Sequence, residues 1–250
     1  MSRYRSYILS TCPRSGSTLL CHMLRATGVA GHPGSHFHRL SLAAWLEAYD
    51  LHRADFDNDL AAARAVIAAG IAHGRGEADL FALRLQWHSF DFFISQLTRL
   101  YPDAQTDLAR IEAAFGKTFF IHLTRGDKLD QAISYVKAQQ SGLWHKAPDG
   151  REIERLSAPA QPVYDRAAIA AQIETFTDMD TAWEAWFGAQ NITPLRLSYD
   201  ALSADPFGTR AQVLDALGLS YAPPPAEEPP VAKLADTMNA DWRARFLGGP

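Results

Sequence analysis

The sequence predicts an α/β protein with a mostly parallel sheet flanked by helices on both faces. Three observations point there. Short apolar runs alternate with longer stretches of helical periodicity. Two of those runs, Tyr7–Thr11 and Thr118–Thr124, break into loops that lead directly into helical segments. The 250 residues, 47% hydrophobic and 21% charged, suit one such domain with a sizeable core. We read residues 1–250 as a single domain with a proline-rich C-terminal tail from about residue 220.

Each element has its own signal. Tyr7-Ile8-Leu9-Ser10-Thr11 reads as a short buried strand, followed by a Pro/Ser/Gly loop from Cys12 to Ser17. Thr18 to Thr27 places Leu19, Leu20, Met23 and Leu24 on one helical face, and Gly28 ends it. A histidine-rich loop runs from Gly31 to Arg39, with helices expected around Leu40–Tyr49 and Asp57–Ile71. Leu80–Leu85 is the second strand, and Ser89–Leu100 and Thr106–Phe115 are helical. Thr118–Thr124 is the clearest strand, short, apolar and β-rich; Arg125-Gly126-Asp127 breaks it before a helix over Lys128–Gln140.

Ser141–Val163 carries glycine, proline and mixed charge and is expected to be a long loop or flap. Asp165 caps a long helix to Gln190, and Leu195–Leu197 is a further strand. Asp205–Leu217 is a helix with Pro206 in its first turn. Pro223–Pro225 and Pro229-Pro230 mark an extended tail.

Composition narrows the function. A formal net charge of −4 gives no overall field for nucleic acid, so an anionic ligand must be held locally. No apolar run approaches the roughly twenty residues of a membrane span, and Met1–Arg5 shows no signal character. Two cysteines, Cys12 and Cys21, make no disulfide framework, and a reducing cytoplasm is the expected home.

Two constellations have the chemistry to bind anions. Arg14-Ser15-Gly16-Ser17-Thr18 lies between a strand and a helix, where free backbone N–H groups and the helix dipole favour negative charge. Gly16 permits close backbone approach, and Arg14 adds a forked cation. The plainer reading is a tight turn with capping hydroxyls. The second constellation is Arg125 at a strand end, with Ser134 about two turns into the next helix. Taken alone, it is equally a surface arginine and a tolerated helix serine. Together the pair suggests a ligand with negative groups at two ends. No G-x-x-x-x-G-K-[ST] is present, and no lysine lies between Tyr7 and Gly31, which speaks against an ATP-type phosphoryl transferase. His32, His36 and His38 crowd one loop, but no Cys or carboxylate at ligand spacing completes a metal set, so no metal is expected.

The run from Tyr7 through Leu20 to Gly31 closely resembles the start of the bacterial trehalose sulfotransferase family, and Phe120–Tyr135 resembles that family's second signature. Weaker similarity continues through Trp183–Phe187 to Asp241-Trp242. The resemblance implies a P-loop-like sulfotransferase fold that moves a sulfonate group from 3′-phosphoadenosine 5′-phosphosulfate (PAPS) to a carbohydrate or glycolipid hydroxyl. The product nucleotide is 3′,5′-diphosphoadenosine (PAP). The resemblance places the 5′-phosphosulfate at Arg14, Ser15, Gly16, Ser17 and Thr18, and the 3′-phosphate at Arg125 and Ser134; beside the transferring sulfonate, Arg14 is also expected to be catalytic, steadying the charge that shifts toward the bridging oxygen. Family members are often dimers, which makes a homodimer an expectation. The family's proposed base is a glutamate in a Gly-x-Pro-x-Glu run. Here that run is Gly31-His32-Pro33-Gly34-Ser35, so Ser35 replaces the glutamate, and His36 directly after it is the expected substitute. The alternative is an impaired PAPS- or PAP-binding protein. Trp87 and Trp144 are candidates to stack on a sugar or on adenine, and Arg84 to line the cleft.

Overall fold

The computed structural model describes residues 3–224, 228–231 and 236–249. Its sheet has four parallel strands in the order β2-β1-β3-β6: β1 Ser6–Thr11, β2 Phe81–Gln86, β3 Thr118–Thr124 and β6 Leu195–Ser198. Side-chain alternation divides each strand between two cores. Ile8, Phe81, Leu83, Leu85 and Phe120 face one core with Trp45, Val66, Phe93 and Trp183. Tyr7, Leu9, Ala82, Ile121 and Leu123 face the other with Leu20, Leu24, Leu202 and Val213. Burial on both faces explains why β1 and β3 read as continuous apolar runs.

The first helix, α1, spans Ser17–Ala26, and α2 (Leu42–Ala48) and α3 (Asp59–Arg75) lead to β2. α4 (Phe90–Leu100) and α5 (Asp107–Phe115) carry the chain across β1 to β3. β2 and β3 therefore flank β1, and the crevice at the carboxyl ends of the strands opens where the winding reverses. Helix starts follow local chemistry: Asn58, Thr106 and Asp165 each accept an N–H from the first turn that follows, and Pro206 opens its helix.

After α6 (Lys128–Ser141) the expected flap contains an antiparallel hairpin, β4 Leu143–Lys146 and β5 Glu152–Arg155. The long helix α7 (Arg166–Ala189) returns to β6, and α8 (Tyr199–Ala204) and α9 (Pro206–Leu217) follow. Parts of the proline-rich tail, residues 225–227 and 232–235, lie outside the described residues. Beyond them the chain is helical: α10 spans Thr237–Leu247 behind an Asp236 capping box. Its Trp242 is buried with Ile133, Val136 and Ile169, so this segment is a packed element rather than an extended tail. Among the described residues no helix is long and apolar enough to cross a membrane.

Candidate active site

The loop leaving β1 is held in an uncommon backbone shape. Arg14 has φ 62° and Gly16 has φ 86°. A left-handed arginine costs about 1–2 kcal/mol, so its surroundings must impose it. Gly16 is fixed for a second reason: a Cβ there would sit 2.8 Å from a ring carbon of Tyr199. Ser15 is fully buried and its hydroxyl donates to the Cys12 carbonyl at 2.8 Å. That side chain builds the loop, leaving Ser15 only backbone groups for a ligand.

Gly16 caps α1 with no side-chain hydrogen bond. The first-turn N–H groups thus lack both an intrahelical acceptor and a side-chain cap. They belong to residues that line a cavity of about 250 Å³. Gly16, Ser17 and Thr18 line it together with Arg14, Arg125 and Ser134. Both expected constellations therefore share one cavity. They also touch: Arg14 donates from Nε to Ser134 Oγ at 3.0 Å and from Nη1 to the Trp144 carbonyl at 2.6 Å.

Two guanidinium groups converge here. Burial, and then the neighbouring Arg125 charge, lower the Arg14 pKa to about 10, which leaves it cationic at neutral pH. Arg125 lies over the Tyr199 ring with its carbon 4.3 Å from the centroid. Its protein partners are poor: Nη1 reaches the Arg14 carbonyl at 3.4 Å, and Nη2 is 3.8 Å from Asp130. Its buried Nε has no hydrogen-bond partner among the described residues. A cation so weakly paired, beside an uncapped helix start, suits an anionic guest. Behind the site, Lys128 donates to the Arg125 carbonyl at 2.6 Å and pairs with Asp180, which also accepts from Cys12 Sγ at 3.1 Å. Burial, reinforced by Asp180, raises the Cys12 thiol well above its usual range, so it is a protonated structural group.

Arg84 supports the lining Thr18, donating to its Oγ1 and to Ser35 Oγ, both at 2.9 Å. His36 is a correction to expectation. Gly34 forms a parallel bridge with Leu83, and the chain turns directly after it, the His36 N–H bonding the Gly34 carbonyl at 2.9 Å. Ser35 faces Arg84, while the His36 ring turns away. Its centroid lies 6.2 Å from that of Phe81, and its Nε2 is 3.0 Å from the His32 carbonyl. His36 is not among the cavity-lining residues. His38 sits at the surface with Nδ1 on the Ser35 carbonyl. Trp87 stacks on Phe90 and packs, half-buried, against the core, whereas Trp144 lines the cavity. Among the described residues no three His, Cys, Asp or Glu side chains gather to hold a metal ion.

The hairpin supplies what sequence reading missed. His145 lines the cavity, and its Nδ1 is 2.6 Å from Glu154 Oε2 across the β4–β5 pair. Tyr199, the platform under Arg125, was equally unmarked.

A parallel sheet whose first strand feeds a left-handed loop, an uncapped helix and paired arginines makes this an α/β protein with a cationic cavity at the carboxyl ends of its strands. The particular family follows from comparison: residues 6–248 match the Stf0 sulphotransferase model, and the chain belongs to that family. It is similar to a trehalose 2-sulfotransferase of Mycobacterium tuberculosis, 30% identical over 98% of this chain and 96% of that one. A second trehalose 2-sulfotransferase, from Mycolicibacterium smegmatis, is 28% identical over 96% and 94%. A sulfotransferase domain from the Synechococcus PCC 7002 olefin synthase aligns at 16% identity and a TM-score of 0.43, over 96% of this chain and 86% of that one.

Proposed function

We propose that this sulfotransferase takes its sulfonate group from PAPS and delivers it to a hydroxyl of a carbohydrate or glycolipid, releasing PAP. The observation that carries the reading is the single cavity joining Arg14, the uncapped start of α1 and the weakly paired Arg125. In this reading Arg14, Gly16, Ser17, Thr18 and the Ser15 backbone hold the 5′-phosphosulfate. Arg125 and Ser134 hold the 3′-phosphate. Arg14 steadies charge that builds on the bridging oxygen as the sulfur–oxygen bond lengthens. The trehalose acceptors in the names of both relatives support a sugar hydroxyl as nucleophile.

Calorimetry in EDTA tests the donor half. PAP is expected to bind without metal, and Arg125→Ala is expected to weaken PAP about ten- to a hundredfold while changing 5′-AMP far less. Equal losses for both nucleotides would remove Arg125 from the 3′-phosphate. Mass spectrometry of PAPS reactions with trehalose and glycolipid acceptors tests the other half. Tight PAP binding with no sulfated product from any acceptor would favour a binding protein without turnover, in line with the missing glutamate at Ser35.

A further inference from the structure

We infer that His145 is the general base of the transfer, and that Glu154 is the residue that positions it. The inference rests on the sulfonate-transfer reading above and adds the group that takes the acceptor's proton.

The argument begins with placement. His145 lies on β4, and Arg14 donates to the carbonyl of the preceding residue, Trp144, at 2.6 Å. That bond ties the hairpin to the anion loop. His145 consequently lines the same cavity as Arg14, Thr18 and Arg125. Its side chain is 18% exposed, enough for contact with a small guest yet largely withdrawn from bulk water.

Tautomer comes next. A carboxylate can only accept, so the 2.6 Å contact with Glu154 Oε2 puts the proton of the neutral ring on Nδ1. Nε2 then carries the lone pair, and among the described residues no hydrogen bond engages it. A ring oriented by a carboxylate through one nitrogen, with the other free in a cavity, is the arrangement that proton abstraction requires. His36 lacks it, because its Nε2 is engaged by the His32 carbonyl on the core side of the loop.

Charge state agrees. The groups within electrostatic reach of His145 are Glu154 from β5, Arg14 from the anion loop, Arg84 from β2 and His22 from α1. Burial lowers the His145 pKa below the ordinary histidine value; Glu154 opposes that shift, while Arg14 and Arg84 add to it. The ring is therefore neutral, and basic, at pH 7. The hydrogen bond from His145 lowers the Glu154 pKa, so its carboxylate is charged under the same conditions.

The step balances without a co-reactant. An acceptor hydroxyl oxygen bonds to the donor sulfur, the bond from sulfur to the bridging phosphate oxygen breaks, and that electron pair leaves with PAP. The hydroxyl proton passes to Nε2 and then to solvent, giving a sulfate ester, PAP and one proton.

Three measurements on the full chain test this. PAP calorimetry comes first: failure of the wild type to bind PAP would overturn the donor reading itself, whatever His145 does. Turnover of PAPS with trehalose comes second. His145→Gln is expected to lower turnover on the order of a hundredfold or more with PAP affinity within about threefold. Glu154→Gln is expected to lose less and to shift the acid limb of kcat/KM. In the wild type that limb lies below pH 6.5, since the rate is lost as pH falls through the lowered His145 pKa. Normal turnover by His145→Gln, or loss confined to His36→Ala, overturns the inference and leaves the sulfonate-transfer reading standing.

The third measurement needs no acceptor. Histidine ring ¹⁵N spectra, assigned by difference with His145→Gln, are expected to show a neutral His145 with its proton on Nδ1 at pH 7. A ring protonated at pH 7, or one carrying its proton on Nε2, overturns the inference even if trehalose is not the acceptor.

Discussion

Arg14 combines three properties that seldom occur in one residue: a left-handed backbone, a half-buried guanidinium whose pKa burial lowers to about 10, and a second arginine beside it. Each is unfavourable alone, and a bound polyanion offsets the last two. If Arg14 acts on charge that develops in the transition state, its removal must affect rate more than donor binding. We expect Arg14→Ala to lower turnover on the order of a hundredfold or more while PAP affinity falls about tenfold or less, with Arg14→Lys keeping part of the rate. Steady-state kinetics beside PAP calorimetry reads the two quantities. Equal losses in both would leave Arg14 a binding group only. At this scale the sequence was informative about residue type and poor about direction. Arg14, Gly16, Arg125 and Ser134 were marked by strand–loop–helix context, and all line the cavity. No local pattern announces that Ser15 turns inward onto the Cys12 carbonyl, or that the turn after Gly34 carries the His36 ring toward Phe81.

Among the elements, those made by local chemistry were legible. Asp165 and Pro206 announced two helix starts, and β1 and β3 announced themselves as apolar runs. The β4–β5 hairpin was overlooked because its strands have four residues each, mostly polar, in a segment with three prolines. Its turn signal was nevertheless present. Ala147-Pro148-Asp149-Gly150 closes with Gly150 N–H on the Ala147 carbonyl at 3.0 Å, Gly150 taking φ 88°. α10 was hidden differently: the prolines before it drew the reading, while Met238, Trp242 and Phe246, spaced by four, are the stripe that docks on α6. This docking predicts a local effect. Trp242→Ala should cost about 3 kcal/mol, at the low end for a buried tryptophan, because the helix can undock alone. Hydrogen exchange should quicken across Thr237–Leu247 while β1 and β3 keep their protection. Uniform acceleration through the sheet would show instead that α10 is part of the cooperative core.

For the whole molecule, charge is distributed against its own average. The chain is net negative, yet its cavity is lined by Arg14 and Arg125, with Arg84 donating to the lining Thr18. A polyanion that binds only the folded state should stabilise it by mass action, about 2.7 kcal/mol at a hundredfold excess over Kd. For a chain of this size that corresponds to a rise in Tm of roughly 5–10 °C, in EDTA as well as in Mg²⁺. Thermal unfolding with PAP and with 5′-AMP checks it: a rise that requires Mg²⁺ would point to phosphoryl chemistry instead.

The strand order also sets a timetable. β1 pairs with β3 in register from Ser6 with Thr118 to Thr11 with Leu123, partners separated by 112 positions along the chain. At a synthesis rate of about 5–20 residues per second, the ribosome takes roughly 5–20 s to deliver the second strand after the first. Throughout that interval Tyr7, Ile8 and Leu9 have no finished sheet to enter. The anion loop, which hangs from the end of β1, is thus made more than a hundred residues before the strand that completes its support. A nascent chain arrested before Thr118 should accordingly be held by chaperones that bind apolar strands, and one released after β6 should not.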